Sequence, residues 1–136
     1  MRFETAIKRY PFLKRILNFY PESQKRLLQE FAKISVRPVS EWVYMQNAEV
    51  EEYESERYNY EDVNDWFLVK DGTISDIPNS YRFYRNGKLI DSYTELVLVG
   101  ERAKAWGYDY IVCVSFLYED FRDGERFDGE IVIYEK

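Results

Sequence analysis

The sequence predicts an α+β domain, with short N-terminal helices packed on an antiparallel-rich sheet that holds one further helix at about 94–106. Three observations carry this. Apolar residues recur at helical spacing up to Ser35, period-two patterns dominate from Glu41 onward, and a near-continuous apolar run fills Tyr108–Tyr118. The 136 residues fit one domain, with a basic helical segment over 1–37 and an acidic β-rich segment over 41–136. With 46% apolar residues, the chain has enough material for one core without covalent staples.

In the helical segment, Phe3, Ile7 and Tyr10 follow i, i+4, i+7 spacing, and Leu13, Ile16, Leu17 and Tyr20 continue the stripe. Pro11 and Pro21 suit the first turn of a new helix, where a missing N–H costs nothing. The spacing therefore predicts three short helices, or two with a kink at Pro11. The last runs from Pro21 to about Ser35, with Leu27, Leu28, Phe31 and Ile34 on one face, and Arg37-Pro38 closes it.

Beyond Glu41, Trp42 and Tyr44 alternate with their neighbours, and Val50–Tyr60 reads as a polar edge strand. Trp66–Lys70 ends at an Asp71-Gly72 turn. Asn86-Gly87 predicts a tight hairpin within Ser80–Asp91, pairing Phe83 with Ile90, Tyr84 with Leu89 and Arg82 with Asp91. Thr94 opens a helix with Leu96, Val99, Ala103 and Trp106 on one face, and Gly107 closes it. Tyr108–Tyr118 reads as a central strand buried on both faces. Glu119–Arg126 is a turn region, and Phe127–Tyr134 returns as a strand in which Ile131 and Ile133 alternate with Glu130 and Val132. The stretch 100–116, GERAKAWGYDYIVCVSF, resembles the C-terminal half of a family of small oligomeric heavy-metal-binding-like bacterial proteins. Its pattern is shared by helix-then-strand units in general, and it implies nothing about activity.

Composition narrows the chemistry. Histidine is absent, which removes the usual general base near neutral pH, every Ser-His or Cys-His pair and the commonest zinc ligand. The single cysteine, Cys113, has no internal disulfide partner and sits in the apolar run, where a thiol behaves as a small hydrophobe. No run is long enough to span a membrane, and the charged N-terminus lacks the apolar core of a secretory signal. A cytoplasmic protein without a cofactor is expected. Abundant Glu, Lys and Arg with little Gln or Cys match the composition of thermophilic proteins.

The net charge of −6 hides an asymmetry. Residues 1–37 hold nine Lys/Arg against three Glu, a surplus of six, and the remainder carries −12. Lys8, Arg9, Lys14, Arg15, Lys25, Arg26 and Lys33 could bind nucleic-acid phosphates, or complement the acidic part of the chain. Two acidic stretches could hold a hard cation: the run from Glu49 to Asp65, and a second segment with Glu119, Asp120, Asp123 and Asp128. The first also reads as a solvated edge and the second as hairpin turns. Thirteen tyrosines, nine phenylalanines and three tryptophans are a large aromatic share for one small core, so either part of that surface lies at a protein interface or all of it packs inside. The expected role is a non-catalytic domain acting through protein–protein association, most simply as a homo-oligomer. Nucleic-acid binding and a carboxylate-based metal enzyme are the alternatives.

Overall fold

The structure, a computed structural model, describes residues 1–42, 62–77, 83–85, 88–90, 93–117 and 127–136. Three helices come first: α1 (Phe3–Arg9), α2 (Phe12–Leu17) and α3 (Glu22–Phe31). Glu4 in the first turn of α1, with Lys8 and Arg9 in its last, complements the helix dipole. Pro11, at φ −62°, already has the helical torsion that α2 continues, and Pro21 leads into α3. The remaining elements are β1 (Lys33–Pro38), β2 (Asp62–Lys70), β3 (Thr73–Asp76), β4 (Phe83–Arg85), β5 (Lys88–Ile90), α4 (Tyr93–Trp106), β6 (Tyr110–Leu117) and β7 (Gly129–Glu135).

Five strands form one mixed sheet in the order β1-β7-β6-β2-β3. The β1–β7 pair is parallel and the other three ladders are antiparallel. The strands β4 and β5 form a separate two-stranded ribbon. Its pairs, Phe83 with Ile90 and Tyr84 with Leu89, are the ones expected from an Asn-Gly turn. Asn86 and Gly87 themselves, with Arg82 and Asp91, lie outside the described residues. The α+β class stands.

The sheet is apolar on both faces. Toward the N-terminal helices it presents Phe67, Val69, Val112, Val114, Ile131 and Ile133, which meet Ala6, Leu13, Ile16, Leu17 and Leu28. On the other face Trp66, Leu68, Ile111, Cys113 and Tyr134 pack against Val99 and Ala103 of α4 and against Trp42. The period of two along β6 divides its residues between these cores, and β6 holds the central position. Cys113 is buried, as its place in the apolar run implies. Tyr134 stacks on Trp66 at 6.4 Å between centroids, and burial pushes its phenol well above the ordinary range.

Two tyrosines fasten the helices to the sheet. Tyr10, at the end of α1, donates to Glu135 at 3.1 Å, and Tyr20 after α2 donates to Asp65 on β2 at 2.7 Å. Asp65 belongs to the acidic run read from the sequence as a solvated edge or cation site, and here it accepts a structural hydrogen bond.

Three expectations need correction. The third helix stops at Phe31, and Lys33–Pro38 is a strand, because Ala32 turns extended and Ile34 and Val36 pair with Ile131 and Ile133 of β7. Alternating β-branched residues beside a parallel partner override the helical stripe there. Phe31, expected on the buried face, consequently sits at a helix end and is 52% exposed. Finally, Trp42 lies in a helical segment covering 39–42 and is buried there, whereas the alternation with Tyr44 predicts a strand. Residues 43–61, including the expected edge strand, lie outside the described residues.

Ile133 has no exposed surface and Phe31 is half exposed. Ile133→Ala should therefore lower unfolding free energy by roughly 2–5 kcal/mol, while Phe31→Ala should stay within about 0.5 kcal/mol of wild type. Urea denaturation of both variants checks the contrast.

Candidate functional site

The helical layer spends its apolar side on the sheet, so its outer side is polar and mostly basic. Lys8, Arg9, Lys14, Arg15, Arg26 and Lys33 are all exposed, and Lys25 is half-buried with its ammonium on Asn18 Oδ1 at 2.7 Å. Only Glu4, Glu22 and Glu30 oppose them within this segment. Among the described residues the single ion pair is Arg37–Glu41 at 3.8 Å, so none of those seven basic side chains is neutralised by a described carboxylate. Arg9 instead lies over the Tyr10 ring at 5.4 Å.

Two large apolar side chains interrupt the basic layer. Phe19, 53% exposed, precedes α3 and touches the Phe67 ring at 5.2 Å, and Phe31 closes α3. They flank a helix of ten residues, roughly 15 Å long. The sequence named the basic residues but not this placement. Phe31 falls on the apolar stripe, and only the early end of the helix brings it to the surface.

The acidic candidates come together less. Glu119, Asp120 and Asp123 lie outside the described residues, and Asp128 is exposed. Among the described residues no three Cys, Asp or Glu side chains stand close enough to hold a metal ion. No described helix is long and apolar enough to cross a membrane.

A second site lies on the opposite layer, where the C-terminal end of α4 meets the β2–β3 hairpin. Asp71 (φ 50°) and Gly72 (φ 77°) make the two-residue turn with both torsions positive, pairing Lys70 with Thr73 and Leu68 with Ser75. Gly107, at φ 77°, ends α4 by donating its N–H to Ala103 O at 2.9 Å. Lys70 reaches across and donates from Nζ to Trp106 O at 2.9 Å, placing a cation at the negative end of the helix. Asp109 braces the turn by accepting from Asp71 N at 2.8 Å. Between these elements is an open pocket of about 280 Å³, lined by Leu68, Lys70, Thr73, Ser75, Trp106 and Gly107, with Asp71 at its edge. Trp106 was expected on the buried stripe of α4, yet it is 47% exposed and carries the Arg102 guanidinium 4.7 Å from its ring centre. Nothing local in the sequence marks this pocket, because Lys70 and Trp106 are 36 residues apart.

Comparison of the chain with known protein families, with curated proteins and with solved structures gives no match.

A Cβ built on Gly107 would sit 3.2 Å from Lys70 Nζ in a left-handed backbone conformation. Gly107→Ala should therefore lower stability by about 1–2 kcal/mol, most of it backbone strain because the lysine end can shift. The midpoint of chemical denaturation measures this.

Proposed function

We propose that this chain is a non-catalytic association domain, and that its N-terminal helical layer docks on an acidic protein surface, most simply that of a second copy. The observation that carries the reading is the pair Phe19 and Phe31, exposed at the two ends of α3 within a layer whose basic side chains have no described carboxylate partner. Protein interfaces combine aromatic anchors with a charged rim, whereas a phosphate-binding surface has no need of two exposed phenylalanines. The −12 remainder of the chain supplies a complementary charge. A two-fold pair would bring the basic layer of each copy to the acidic part of the other. The charged layer also supports the second reading, nucleic-acid binding, against which the overall charge of −6 acts at long range.

Sedimentation equilibrium separates the two. The wild type should self-associate reversibly, with association weakened by salt, by Phe31→Glu and by Arg9→Glu/Lys14→Glu. A monomer at every concentration would contradict the proposal. So would steeply salt-dependent binding of duplex DNA or RNA that the double variant loses, which would establish the second reading.

A further inference from the structure

We propose that the pocket between the end of α4 and the β2–β3 hairpin is a binding site for a neutral polyhydroxylated ring, of the chemical class of a single sugar. This rests on a different part of the molecule from the helical layer and stands apart from the association reading.

Size limits the ligand first. At about 280 Å³ the pocket lies just below the range of roughly 300–1,000 Å³ usual for larger small molecules, which fits one ring. Charge limits it next. Asp71 borders the pocket, and the carbonyl end of α4 adds partial negative charge, so an anion is disfavoured. Lys70 in the pocket wall, and Arg102 beside it at 4.7 Å from the Trp106 ring centre, disfavour a cation as well. A neutral ligand meets neither penalty.

The hydrogen-bonding inventory then selects the class. Thr73 and Ser75 occupy neighbouring positions on the pocket face of β3, opposite Lys70 and Leu68. Each hydroxyl both donates and accepts, the Asp71 carboxylate accepts, and the Lys70 ammonium keeps donors beyond the one it gives to Trp106 O. A ring carrying several hydroxyl groups presents donors and acceptors together, which this mixture satisfies better than it would an apolar molecule. Trp106 supplies the remaining feature, an indole 47% exposed at the pocket wall. A sugar ring has an apolar C–H face that packs on such a surface, while its hydroxyl edge turns toward the strand side chains. Leu68 closes the floor with an apolar surface.

The test is titration of the ¹⁵N-labelled full chain with D-glucose, D-galactose, D-mannose and N-acetyl-D-glucosamine. Inorganic phosphate and tetramethylammonium serve as charged probes. The Trp106 indole N–H signal is assigned through Trp106→Phe. At least one sugar should shift the Trp106 indole and Gly107 amide signals saturably, with a dissociation constant on the order of millimolar. Ser75→Ala should weaken that binding by about tenfold, and Trp106→Ala should abolish it. Ser23→Ala, at an exposed position of α3 on the opposite layer, should leave it unchanged. Ser75 and Trp106 both reach solvent, so folding of the variants is expected, and Ser75→Ala keeps the test valid if Trp106→Ala unfolds. The proposal is overturned if none of the four sugars gives a saturable shift, if the shifts persist in both pocket variants, or if only a charged probe binds.

Discussion

The fold depends on a sheet that is apolar on both faces. In β6, Val112 and Val114 point to one core and Ile111 and Cys113 to the other, and none of them can be left to water. Two covers are therefore obligatory. The helices α1–α3 form one, and α4 with the 39–42 segment and Trp42 forms the other. The short helices have little independent stability at six to ten residues, so their packing on the sheet is what holds them. Tyr10 and Tyr20 add directional bonds to this nondirectional burial, and each joins a helix end to a carboxylate on a strand.

The same division explains where chemistry is left over. Once the helical layer has turned Leu13, Ile16, Leu17 and Leu28 inward, its outward charged residues are mostly Lys and Arg, with Phe19 and Phe31 exposed among them. On the other side α4 packs Val99 and Ala103 on the sheet. Its last turn leaves Trp106 half exposed over the β2–β3 hairpin, and Lys70 and Gly107 finish the helix there. Both surfaces proposed for binding thus lie at the ends of covering helices, where large aromatic side chains stay exposed.

Periodicity made much of this readable. The apolar run around Cys113, the alternation of Ile131 and Ile133, and the Gly107 stop are local signals with one sensible structural meaning each, and the structure bears them out. Strand β1 was not readable in that way. Ile34 fits both the helical stripe of α3 and the alternation with Val36, and only β7, almost a hundred residues later in the chain, decides between them. Asp65 looked like one member of an acidic run because its partner, Tyr20, lies between α2 and α3, 45 residues away. The pocket at Lys70 and Trp106 escaped for the same reason. Charge asymmetry was plain in the composition, but which basic residues stand unpaired depends on packing.

Native-state hydrogen exchange tests the two-cover account most directly. The amides of Ile111–Val114 in β6 should exchange only through global unfolding, with an opening free energy equal to that from denaturant melts. Amides of the edge strand β1 should open at lower cost. Exchange of the β6 amides well below the global value, or stronger protection in β1 than in β6, would show that the doubly covered strand is not the centre on which the structure depends.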